Sequence, residues 1–96
     1  MYDYNICDYD ENSLEFYLQK NELLNFINSQ CDCDLITHDN SAIVYEFYAV
    51  RKVYEFTYYI DDDKIYMRTA KYDEFVEFGF DSKEITQLSQ LKRIFK

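Results

Sequence analysis

The sequence predicts an α+β fold: an antiparallel sheet of four or five strands with an N-terminal and a C-terminal helix packed on one face. Three observations predict it. Twelve of the nineteen aromatic residues lie between Ile43 and Phe80, in runs of Tyr, Phe, Val and Ile that suit a pleated, half-buried surface. One such run repeats, Val44-Tyr45-Glu46-Phe47 returning as Val53-Tyr54-Glu55-Phe56. On either side of this stretch the apolar residues recur at helical spacing.

Residues 1–96 form one compact domain, since the chain has one glycine, Gly79, and no proline to mark a linker. A chain of this size buries only about 60 to 65% of its unfolded surface. Its core is therefore thin, and large aromatics fill it.

Taken in order, Tyr2, Tyr4 and Ile6 alternate with Asp3, Asn5 and Cys7, the pattern of a short strand. Asn12 followed by Glu15 has capping-box spacing. The helix it starts runs to about Ser29, with Leu14, Tyr17, Leu18, Leu24 and Ile27 on one side and Phe16, Leu23 and Phe26 widening the stripe. Asn21 interrupts that stripe, so the run reads either as one amphipathic helix, the simpler description, or as two short ones broken near Lys20-Asn21. Leu35 to Thr37 is a short apolar segment, and His38-Asp39-Asn40-Ser41 has turn chemistry.

A strand from Ala42 to about Tyr48 follows. Ala49-Val50-Arg51-Lys52 lacks tight-turn residues, so the chain either turns at 50–51 or continues as one bent strand. A turn there sets Phe47 against Tyr54, Tyr45 against Phe56 and Glu46 against Glu55. That last like-charge pair is unfavourable unless a cation such as Arg68, diagonal to Glu55, lies between them. Asp61-Asp62-Asp63-Lys64 is the clearest reversal and pairs Ile60 with Ile65, Tyr58 with Met67, Phe56 with Thr69 and Tyr59 with Tyr66. Lys71-Tyr72-Asp73 turns again into a strand at 75–80, and Asp81-Ser82-Lys83-Glu84 caps a C-terminal helix buried through Ile85, Leu88, Leu91 and Phe95. Two helices on one face would leave Tyr59, Tyr66 and Glu55 wet.

Charge narrows the function. The formal net charge is −9, and all of the excess lies in residues 1–48. Nucleic acid and anionic membranes repel such a chain, while basic partners attract it. No apolar run is long enough to span a membrane, and Met1-Tyr2-Asp3-Tyr4 lacks a signal peptide's basic start. Three cysteines, an odd number, fit a reducing cytoplasm.

Enzyme motifs are absent. One glycine cannot build a phosphate loop or a dinucleotide fingerprint, and no nucleophile motif surrounds His38, so no catalytic residue and no cofactor are expected. Cys7, Cys31, Cys33 and His38 have zinc-ligand chemistry but poor spacing; the plainer reading is reduced thiols packed as small hydrophobes. The Asp61-Asp62-Asp63 run lacks the glycine and distal glutamate of a calcium loop.

The expected site is therefore a partner surface. Its residues are Asp3, Asp8, Asp10 and Glu11 at the N-terminus, Asp32, Asp34 and Asp39 around the first turn, Asp61, Asp62 and Asp63 at the hairpin, and Tyr59 and Tyr66 on the open sheet face. Spaced carboxylates among tyrosines can stand in for DNA phosphates toward Arg and Lys. In size, acidity, Tyr/Asn/Asp/Ile/Lys-heavy usage and lack of enzyme motifs, the chain resembles the small acidic inhibitors with which phages block host defences, anti-CRISPR and anti-restriction proteins among them. The resemblance is one of general character, without a shared motif. It implies a DNA mimic acting in the host cytoplasm on a basic CRISPR or restriction component. The alternative with the same charge logic is an immunity protein that neutralises a basic toxin or nuclease; a third is a cysteine- or zinc-dependent regulatory module. An odd number of aromatic strands would leave a pairing edge for a homodimer.

Overall fold

The computed structural model describes residues 14–71 and 82–95. The strand expected at 2–7, the cap at Asn12, the turn at 72–73 and the strand at 75–80 lie outside the described residues. Within them the fold is α+β, with five antiparallel strands in one sheet and three short helices: α1 (Leu14–Lys20), α2 (Glu22–Asn28), β1 (Cys33–His38), β2 (Ala42–Ala49), β3 (Lys52–Tyr59), β4 (Lys64–Lys71), β5 (Lys83–Ile85) and α3 (Leu88–Ile94). Spatial order follows chain order, β1-β2-β3-β4-β5.

The N-terminal helical run is two helices, which corrects the single-helix reading. Asn21 is the reason. Its backbone is extended at φ −129° and ψ 112°, and its side-chain Oδ1 accepts from the Leu23 and Leu24 amides at 2.9 and 3.1 Å. A residue that interrupts the apolar stripe thus becomes the cap of the second helix. The break still lets Tyr17 of α1 and Leu24 and Ile27 of α2 share one core.

The long middle of the sheet follows from the aromatic alternation. β2 and β3 turn at Val50-Arg51, and the register sets Phe47 against Tyr54, Tyr45 against Phe56 and Glu46 against Glu55, as expected. Arg68 lies directly opposite Glu55 rather than diagonal to it, and its Nε and Nη2 donate to Glu55 Oε1 at 2.9 and 2.6 Å. The ion pair offsets the Glu46–Glu55 repulsion and leaves Glu55 largely buried, not wet.

Arg51 takes a positive φ of 70°, where a β-carbon crowds the backbone. Replacing Arg51 with Gly should therefore stabilise the fold by about 1 kcal/mol. Equilibrium denaturant unfolding checks this, and a loss of stability would contradict the turn geometry.

The β3–β4 register differs from the expected one by two residues. Tyr58 pairs with Ile65 and Phe56 with Met67, because the Ile60 amide extends the β2–β3 pairing by donating to Ser41 O at 3.0 Å, and the Asp63 amide closes the loop on Tyr59 O at 2.9 Å. A two-residue shift preserves the side-chain faces. Phe56, Tyr58 and Ile65 are accordingly buried, with Tyr54, Ile60 and Met67 packed against them.

The C-terminal helix starts later than the expected cap at 81–84. Lys83–Ile85 instead forms β5, pairing with Ile65 to Met67 of β4. Burial explains the choice, since strand pairing sets Ile85 beside Ile65, leaving them 3% and 1% exposed. The side chain of Gln90 then caps α3, accepting from the Thr86 and Gln87 amides at 2.8 and 2.9 Å.

Two apolar layers result. The main core joins Tyr17, Leu24 and Ile27 of the helices to Ile43, Tyr45, Phe56, Tyr58, Ile65, Ile85 and Leu91. On the opposite face Val53 pairs with Ala70, and both are buried outside that cluster. The second face is thus not uniformly wet.

Candidate functional site

Strand order decides which acids meet. The β1–β2 turn and the β3–β4 loop lie at the same end of the sheet, since Ala42 pairs with Tyr59 and Tyr59 with Lys64. The Ile60-to-Ser41 hydrogen bond ties them together. Asp39, Asp61, Asp62 and Asp63 therefore share one end, with Tyr59 next to the loop. Tyr66, across from Thr57, packs edge-on to Tyr59 at 5.7 Å between ring centres.

The carboxylates there differ in their hydrogen bonding. Asp39 Oδ1 accepts from the Ser41 amide, the Ser41 hydroxyl and the Ala42 amide at 2.8, 2.9 and 3.0 Å. These bonds hold its carboxyl below the ordinary range, while Oδ2 has no hydrogen bond among the described residues. Asp61 and Asp62 are exposed, without a hydrogen bond or ion pair among the described residues. Asp63 is the pin of the loop: at φ 53° its Oδ1 accepts from Tyr58 Oη at 2.6 Å and Asn21 Nδ2 at 3.1 Å.

The Tyr58 bond lowers the Asp63 carboxyl most, with Asn21 and Lys20 assisting against partial desolvation. Burial, and the same bond, push the Tyr58 phenol up. A carboxyl lowered on folding adds stability above its unfolded pKa, and that stability disappears as pH falls through the folded value. The stability difference between wild type and Asp63→Asn should therefore shrink from roughly pH 5 down to roughly pH 2. Urea titrations across that range check it; a difference constant with pH would contradict the Tyr58–Asp63 linkage.

Beside the loop lies a depression of about 300 Å³ whose wall includes Asp62, Asp63 and Glu84 against one cation, Lys64. Glu84 is the residue that sequence reasoning missed as a site member. Its position depends on the pairing of β5 with β4, and Asp81-Ser82-Lys83-Glu84 reads locally as a helix start.

The remaining expected residues are elsewhere. Asp32 precedes β1, and Asp34 is exposed on β1 opposite Glu46. Seven residues of nearly extended chain separate Asp32 from Asp39, about 20 Å, so these acids belong to a different part of the surface. Asp3, Asp8, Asp10 and Glu11 lie outside the described residues.

Cys33 is buried and its thiol is pushed up to about 12 by desolvation, with the Asp34 charge adding to it; a thiol so poorly ionised is a weak nucleophile and metal ligand. Cys31 is exposed. His38 sits at the far end of β1 from Cys33, about 16 Å along the strand, with its ring edge-on to Tyr17. Cys33 and His38 cannot share one ion. Among the described residues no three His, Cys, Asp or Glu side chains converge as metal ligands, and no helix is long and apolar enough to cross a membrane. Comparisons with protein families, curated proteins and solved structures find no match to this chain.

Proposed function

We propose that this protein is a stoichiometric, non-enzymatic inhibitor, phage-borne and acting in the host cytoplasm, that occupies the basic nucleic-acid site of a defence effector. One observation carries the reading: exposed Asp61 and Asp62, with Asp39 and the Tyr59–Tyr66 pair, surround one end of the sheet next to an acidic depression. Arg and Lys side chains that normally hold phosphates would meet carboxylates there in charge-assisted hydrogen bonds. A partner cation entering the depression would face Asp62, Asp63 and Glu84, and the tyrosines supply rigid contact area beside it. The protein does not itself bind nucleic acid or membrane.

Self-association would use β1, an edge strand among the described residues, on which Leu35 and Ile36 are 44% and 52% exposed. The partner surface lies at the turn end, so a dimer through β1 leaves Asp61 and Asp62 open.

The test is displacement. Added to a captured CRISPR or restriction effector loaded with labelled DNA, the protein should release the DNA as the molar ratio approaches one to one. Binding without release would overturn the mimic mechanism. Capture of a cognate toxin or nuclease in place of a defence effector would favour an immunity protein.

A further inference from the structure

Toward the other end of the sheet, a cavity of about 240 Å³ lies between α3 and the inner face of β3, β4 and β5. Its charge is opposite to that of the chain as a whole. Lys52, Lys83 and Arg93 line it, and none of its lining residues is acidic. In a protein of net charge −9 with ten basic residues, three around one small cavity is a local reversal of sign.

Nothing described neutralises them. Among the described residues the ion pair is Arg68 with Glu55, and neither Lys52, Lys83 nor Arg93 is engaged with a carboxylate. The Lys52 ammonium instead stands 5.8 Å over the Tyr54 ring centre, a cation–π contact that holds it at the cavity. Gln90 adds donors: its Oε1 is taken by Thr86 and Gln87, while its amide nitrogen has no acceptor among the described residues. Tyr54, Met67, Ile85 and Ile94 form apolar walls.

We infer that this cavity binds a small phosphate monoester with an apolar organic part. The phosphoryl group sits among Lys52, Lys83 and Arg93, and the organic part lies against Tyr54 and Ile85. Three cations match a dianion better than a single carboxylate charge, and arginine's planar fork suits phosphoryl oxygens. Size sets the other limit: the volume is at or below the small end of ligand pockets, and the acidic remainder of the surface repels long polyanions. The inference is independent of the proposed inhibitor role, since the two surfaces share no residue except Ile85, a wall of both depressions.

Titration of the full-length ¹⁵N-labelled protein with phenyl phosphate, inorganic phosphate and phenol, followed by NMR, tests it. Phenyl phosphate should give saturable shifts at Tyr54, Met67, Lys83 and Arg93. Inorganic phosphate should act at the same residues at least tenfold more weakly, and phenol should give no saturable shift. Lys83→Gln and Arg93→Gln, both at exposed positions, should each weaken phenyl phosphate about tenfold with the spectrum otherwise preserved. Absence of saturable shifts even at tens of millimolar, shifts that phenol reproduces, or binding unaffected by either substitution would overturn the site. Equal binding of inorganic and phenyl phosphate would overturn the assignment of an organic part.

Discussion

Replacing Asp39, Asp61 and Asp62 together with Asn is expected to slow association with the proposed basic partner at least tenfold at low salt and to flatten its salt dependence. Electrostatic steering changes association rates by about 10- to 1,000-fold, and these three carboxylates share one end of the sheet. The fold survives the change, because the Asp39→Asn side chain retains a carbonyl oxygen for the Ser41 and Ala42 amides, and Asp61 and Asp62 have no hydrogen bond or ion pair among the described residues. Asp32→Asn with Asp34→Asn is the control, with a smaller effect expected from its position about 20 Å away. Stopped-flow association at two ionic strengths separates the cases, and an equal effect per charge removed in both variants would mean net charge rather than placement controls binding.

Leu91→Ala is expected to cause a large loss of stability for a single substitution. Leu91 is fully buried and belongs to the same core as Leu24, Ile27 and Phe56, so truncation removes apolar burial and leaves a cavity. Such changes cost about 2 to 5 kcal/mol, a large share of the roughly 5 to 15 kcal/mol that holds a domain together. Phe95 packs on Phe47, Phe56 and Phe26, so loosened docking of α3 would also disturb these ring contacts. A shift in the urea midpoint corresponding to less than about 1 kcal/mol would contradict the assigned core.

The sheet was legible because side-chain period and register are linked. Tyr45, Phe47, Phe56 and Tyr58 alternate strictly enough that a two-residue error in the β3–β4 pairing left every residue on its correct face. Local signals failed where tertiary contacts competed. Asn21 looked like an interruption because its role as a cap depends on a helix restarting after it, and its bond to Asp63 spans 42 residues. Asp81 to Glu84 carries a helix-start pattern, but burial of Ile85 against Ile65 draws Lys83–Ile85 into the sheet. For the site, residue type was readable while proximity was not. Turn chemistry around Asp39 sets it apart from Asp34 locally, but only the β1–β2 and β3–β4 reversals place Asp39 at the same end of the sheet as Asp61 and Asp34 on a strand facing Glu46.

The proposed function has a basic nucleic-acid-handling protein recognised through this acidic end. Parallel affinity capture from a host lysate with tagged wild type, the Asp39/Asp61/Asp62→Asn variant and the Asp32/Asp34→Asn variant tests it most directly, with retained proteins identified and quantified by mass spectrometry. The expected result is one basic defence component at about equimolar yield with wild type and the Asp32/Asp34 variant, and its loss from the Asp39/Asp61/Asp62 variant. Retention of the same protein by all three at equal yield would contradict it.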